Sequence, residues 1–187
     1  VTRASALFSL ALTACGWSPA NLKPDATPSP GNAYVYGRFG IDAESALLSL
    51  DGHQSIGFEV RCREGDAHII RFTKEDAVQM IEVPASTCQI NDVLYTDVDG
   101  NVLARRLAPF RLLKNEILAP GGVYYVGDFH AGASRTAYGY LVVTEEHTWS
   151  LTDVKADYAK TTADLKARFP AFASARTENR MGFVLRR

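Results

Sequence analysis

Asp128 and His130 stand two residues apart in a strand-like run, so in an extended backbone both project from one face. In that arrangement a carboxylate can orient an imidazole for proton transfer. Tyr124 lies earlier in the same run, and Tyr124, Asp128 and His130 make up the candidate ligand-binding group. No nucleophile accompanies them, and a surface or sheet-edge pair is the plainer reading of Asp128 and His130. Gly52-His53-Gln54-Ser55-Ile56-Gly57 approaches a nucleophile elbow, but it has one residue too many before the serine and lacks a strand-turn-helix context. Asp97-Val98-Asp99-Gly100-Asn101 offers oxygen ligands of the kind calcium takes. Without further ligands or a downstream bidentate glutamate it reads as a hairpin turn. Glu145-Glu146-His147 reads as a solvated hairpin bend, and His53 and His68 as isolated histidines. The sequence contains no His-Glu-x-x-His, Gly-x-Ser-x-Gly, phosphate-binding loop or dinucleotide fingerprint. The expectation is therefore a protein that is not an enzyme, with no catalytic residue, no metal and no cofactor.

The elements that must position these residues are short strands. The 187 residues, 47% of them hydrophobic and 22% charged, suffice for one globular domain with a real core. Lysine plus arginine (20) nearly balance aspartate plus glutamate (21), so no strong field for nucleic acid follows. Strand-like runs occur at 33–39, 46–50, 56–62, 68–72, 78–83, 86–90, 93–97, 102–106, 122–129, 138–143 and 148–151, separated by turn signals such as Asp51-Gly52. In the 56–62 run Glu59 and Arg61 fall on the solvent side. This pattern predicts a mainly β fold, an antiparallel β-sandwich. A single amphipathic helix is expected at about 152–169, capped by Ser150 or Thr152 and ended by Pro170. Its apolar spacing is Val154, Tyr158, Thr162, Leu165 and Phe169. Met181–Leu185 is read as a last edge strand or a tail. Tyr34, Tyr36, Tyr124, Tyr125, Tyr138 and Tyr140 alternate, so some of them are expected to face outward and offer a strip for a sugar or peptide.

At the other end, Arg3 precedes a short apolar run, Ala4–Leu12, too short to span a hydrocarbon core of roughly 30 Å. Leu12-Thr13-Ala14-Cys15-Gly16 follows, and it resembles the bacterial lipobox. The resemblance implies a signal peptide over 1–14, cleavage before Cys15, and attachment of diacylglycerol and fatty acyl chains such as palmitate at Cys15. Two or more chains anchor stably where one does not. Gly16 resembles the second mature residue of lipoproteins sorted to the outer membrane. Residue 1 is valine, which points to an alternative start codon or a start upstream. Residues 15–32, with Pro19, Pro24, Pro28 and Pro30, read as a lipidated N-terminus and extended tether, and 33–187 as the single domain. Export permits disulfides, and setting Cys15 aside leaves Cys62 and Cys88. A bond between them is expected, with two separate buried thiols as the alternative.

Val83-Pro84-Ala85-Ser86-Thr87-Cys88-Gln89-Ile90 resembles a strand opening common in bacterial transthyretin-like and carboxypeptidase-regulatory-like β-sandwiches, with Cys88 in place of the usual aromatic. Ile117–Asp128 and Arg168-Phe169-Pro170 resemble segments of uncharacterised Gram-negative lipoproteins of that type. What the resemblance implies is a transthyretin-like sandwich held at the outer membrane by its N-terminal lipid, on the periplasmic face or the cell surface. Such a protein serves as a structural or protein-interaction component with an envelope protein partner and without nucleic acid. The alternatives are a carbohydrate- or peptide-binding module and, more distantly, an envelope hydrolase.

Overall fold

The computed structural model describes residues 21–41, 54–63, 67–72, 77–97, 102–138 and 144–181. The lipobox with Cys15, the 46–50 run, the 98–101 turn, His53 and Tyr140 lie outside them. The described elements run β1 (Asn32–Ile41), β2 (Gln54–Cys62), β3 (Ala67–Phe72), β4 (Ala77–Pro84), β5 (Thr87–Asp97), β6 (Val102–Ile117), β7 (Val123–Tyr138), β8 (Thr144–Lys155), α1 (Tyr158–Arg168) and β9 (Thr177–Asn179). One sheet has the order β4-β1-β7-β8 with β9 also on β7, and the other has the order β3-β2-β5-β6. The protein is mainly β, as its sequence predicts.

An apolar core joins the two sheets. Val35, Phe39, Val83, Val126 and Phe129 from the first sheet meet Phe58, Val60, Ile70, Phe72 and Ile90 from the second. The rings of Phe58 and Phe129 lie 4.2 Å apart and those of Phe39 and Phe72 5.6 Å apart. Burying one such ring contributes about 2 to 3 kcal/mol. Along β1 and the starts of β4 and β7, the alternate residues do not face water either. Tyr34, Tyr36, Val78, Met80, Val123 and Tyr125 form a second cluster with Leu165 of α1 and with Phe169 and Phe172 beyond it. That two-sided burial explains why Ala33-Tyr34-Val35-Tyr36 lacks the apolar-polar alternation of a half-exposed strand.

Several sequence-based expectations change. The first sheet is mixed, because β1 pairs β7 in parallel and β9 pairs β7 in parallel. β1 and β7 are far apart in the chain, so no hairpin forces them to run oppositely. The helix begins at Tyr158 rather than near 152. Ser150 and Thr152 sit in β8, and Val154 stands opposite Phe129 and packs on the core, because the alternating, β-branched run pairs with β7 before the chain can coil. The helix cap is Asp157, whose side chain accepts from the Lys160 N–H at 3.3 Å. Glu145-Glu146-His147 is strand, paired with Arg135-Thr136-Ala137. The last described strand is Thr177–Asn179, and 182–187 lie outside the described residues. Arg61 is exposed as expected, whereas Glu59 is buried and ion-paired with Arg61, the arginine that follows it on the same face.

The segment before β1 also differs from a free tether over 15–32. Its described part starts between β3 of the second sheet and β4 of the first and continues along the first. The Asn21 side chain donates to the Arg71 carbonyl and to Gln79 Oε1 (3.1 Å) and accepts from the Arg71 N–H (2.9 Å). The Leu22 N–H donates to the Met80 carbonyl at 2.7 Å, and the Leu22 side chain joins the helix-side cluster. Further along, the Ser29 N–H donates to the Tyr34 hydroxyl at 2.6 Å. Prolines at 24, 28 and 30 suit such a path, since a strap held by few backbone bonds does not need their missing N–H groups.

Cys62 and Cys88 stand directly opposite one another in the β2–β5 ladder and are joined, with S–S 2.06 Å, across a sequence separation of 26. Closing a loop of this length stabilises the fold by about 3 kcal/mol in the chain-entropy treatment. Denaturant unfolding of the wild type and of a Cys62→Ser/Cys88→Ser double variant should therefore differ by about 3 kcal/mol. Equal midpoints and slopes would show that the bond does not constrain the chain.

Candidate functional site

Three of the five buried polar side chains among the described residues, Arg38, Asp128 and Thr161, lie where α1 packs on the first sheet. A bulge builds this place. Gly127 has φ +133°, and the β1–β7 register shifts between Tyr36 and Arg38. Strict alternation from Tyr125, which faces the helix, would send Asp128 toward the second sheet. The inserted residue reverses the parity, so Asp128 lies under the helix and Phe129 enters the core.

Asp128 is the hub. Its two carboxylate oxygens accept from the Thr161 hydroxyl at 2.8 and 3.0 Å, and its Oδ2 accepts from the Asp157 N–H at 3.3 Å. Asp128 is 5% exposed and Thr161 fully buried. Around this hub the Tyr36 and Thr162 hydroxyls share a hydrogen bond of 2.6 Å, Tyr158 and Thr177 share another of 2.6 Å, and Arg38 is ion-paired with Asp164. The Tyr125 hydroxyl donates to the Lys155 carbonyl at 3.4 Å. Loss of water raises the Asp128 carboxyl above the ordinary carboxylate range, against the opposing effects of Thr161, Tyr125 and Arg38. Burial pushes the Tyr36 phenol up to about 12, and burial followed by the nearby Asp128 charge pushes the Tyr125 phenol higher still.

A carboxyl with a raised pKa beside a phenol and a threonine hydroxyl has the composition of an acid-base site. Its packing assigns it another task. The Asp128, Tyr36 and Arg38 side chains of the sheet are bonded to Thr161, Thr162 and Asp164 of α1, Tyr158 of α1 is bonded to Thr177 of β9, and the hub is buried. The cluster fastens the helix over the sheet.

The structure does not bring the three candidate ligand-binding residues together. Tyr124 faces the other sheet, where its hydroxyl accepts the Ala119 N–H at 2.7 Å, while Asp128 lies beneath α1. The Gly127 bulge separates them. His130 is half-buried, in register with Asp153 of β8. Tyr34, Tyr36, Tyr124 and Tyr125 are all buried, so none supplies an outward strip. Of the other histidines, His68 is half-buried in β3.

The sequence reading missed Arg38, Thr161 and Asp164, and placed Thr162 on the inner helix face only as part of the apolar spacing. The signal was present in Asp157, a good N-cap residue, followed by Thr161 and Leu165 four residues apart on one helical face. Among the described residues no group of three His, Cys, Asp or Glu side chains is placed to hold a metal, and no helix is long and apolar enough to cross a membrane. Comparison of the chain with protein-family models and with curated proteins finds no match.

The raised carboxyl sets a pH dependence. Between the unfolded-state pKa, about 4, and the higher folded value, the folded protein keeps a proton that the unfolded chain has released. The Asp128 contribution is therefore greatest below about pH 4 and declines as pH rises through the folded pKa. Asp128→Asn, which can still accept from Thr161, should flatten the fall in melting temperature across this range. A slope identical to that of the wild type would rule out Asp128 as its source.

Proposed function

We propose that this protein is a non-catalytic, lipid-anchored lipoprotein of the bacterial outer membrane, exposed to the periplasm or the cell surface. In this reading it presents a transthyretin-like β-sandwich to an envelope protein partner or serves as a structural component. The observation that carries the reading is the Cys62–Cys88 bond, a cross-link of the kind that persists in oxidising compartments, in a chain that also bears a lipobox-like Leu12-Thr13-Ala14-Cys15. The sandwich assignment draws support from the core shared by the two sheets and from Pro84-Ala85-Ser86, which lead from β4 in one sheet to β5 in the other.

Other features fit a carrier of surfaces better than a catalyst. The polar cluster holds α1 to the sheet, and Tyr124 lies on the opposite face of β7 from Asp128. Burial of Tyr34, Tyr36, Tyr124 and Tyr125 weighs against a carbohydrate- or peptide-binding strip built on those four. The burial of Asp128 likewise weighs against the envelope-hydrolase alternative.

Replacing Cys15 with Ser tests the reading at its root. Radiolabelled fatty acid should no longer be incorporated, and the protein should move from the membrane to the soluble fraction. Retention and labelling equal to the wild type would overturn the proposal.

A further inference from the structure

The strap that precedes β1 is pinned at both ends. Asn21 and Leu22 are bonded to Arg71, Gln79 and Met80, and Asn32 stands opposite Pro84 while its carbonyl accepts the Gly121 N–H at 2.7 Å. From Leu22 to Asn32 the chain thus passes from the level of Met80 to the level of Pro84, about 13 Å along β4. Its first described residue, Asn21, lies beside Arg71 and Gln79, at the β3–β4 edge. Ala119, Gly121 and the Cys62–Cys88 bond lie toward the other end of the strands.

This geometry bears on distance from a membrane. If residues 15–32 were all slack, the domain could stand off by up to about 60 Å. With Asn21 pinned, the six peptide steps from Cys15 to Asn21 reach at most about 20 Å. The geometry points to a domain held at short range with its β3–β4 edge turned toward the lipid surface, an inference that rests on the lipid-anchor reading above. The Asn21 side chain is the clamp, since one amide makes three hydrogen bonds to two strands, and Leu22 seats it in the helix-side apolar cluster. The bilayer surface is the partner of this edge, and the short leader sets the stand-off.

The full acylated protein in lipid vesicles tests this. A single dye is placed at Lys23→Cys or at Ala119→Cys, both exposed positions, and energy transfer to acceptor-labelled lipid headgroups is measured. Transfer from position 23 should exceed that from 119 by about twofold, given their separation along the strands. Inserting a twelve-residue Gly-Ser spacer between Ser18 and Pro19 adds up to about 40 Å of reach and leaves Asn21 untouched, so it should erase that difference. Asn21→Ala should reduce it in the same direction. Equal transfer from the two positions in the vesicle-bound, acylated wild type overturns the inference, as does a difference that survives the spacer. A chain that is not acylated and leaves the vesicles overturns the anchor reading instead, and this inference with it.

Discussion

A side chain at position 37 would bring its first carbon within 2.7 Å of the Gly127 carbonyl oxygen, so β1 and β7 approach at a point where glycine is required. Gly127 itself adopts a backbone angle that other residues rarely tolerate, and the bulge it forms changes which face the rest of β7 presents. Before it, Tyr124 and Val126 fill the space between the sheets while Val123 and Tyr125 meet the helix. After it, Phe129 fills the inter-sheet core and Asp128 reaches Thr161. Without the extra residue the carboxylate would be driven among phenylalanine rings, where no partner awaits it, and Phe129 would leave the core.

Covering the first sheet on both faces then follows. The helix brings Leu165, with Phe169 and Phe172 just beyond it, to the tyrosine face, and the leader adds Leu22. Threonines at 161 and 162 and aspartates at 157 and 164 satisfy the polar groups trapped there. Burial of a carboxylate is costly unless its oxygens are bonded, which is why the hub collects a hydroxyl and a backbone N–H together. Raised pKa values in this protein therefore mark a fastening.

Much of the strand framework was legible because Ile56-Gly57-Phe58-Glu59-Val60 carries a period of two, Val78–Val83 is rich in apolar and β-branched residues, and such runs stop at turn residues or proline. The Cys62–Cys88 pairing was legible as well, once Cys15 was set aside. What the sequence hid was tertiary. The Val154, Tyr158, Leu165 and Phe169 spacing reads as one helix, yet Val154 belongs to a strand because β7 offers it a ladder partner. Alternating tyrosines read as half-exposed until a helix is laid over them. Glu59 reads as solvent-facing because a window of sequence does not show that it is buried beneath the exposed Arg61 that pairs with it. The candidate group of Tyr124, Asp128 and His130 assumed an unbroken strand, and one bulge separated Tyr124 from Asp128. The leader looked slack because its prolines exclude a ladder, although three side-chain bonds at Asn21 are enough to pin it.

Among the described residues the two sheets share a core, Cys62 is bonded to Cys88, and a buried polar cluster holds α1 to the sheet; the proposed function adds a lipid anchor at Cys15. Intact-mass and peptide mass spectrometry of the protein isolated from the membrane fraction of its native host addresses that union most directly. The mature chain should start at Cys15 and carry diacylglyceryl and acyl groups on that residue, with Cys62 and Cys88 recovered as one cross-linked peptide. A membrane-associated chain that retains residues 1–14 with an unmodified Cys15 would contradict it.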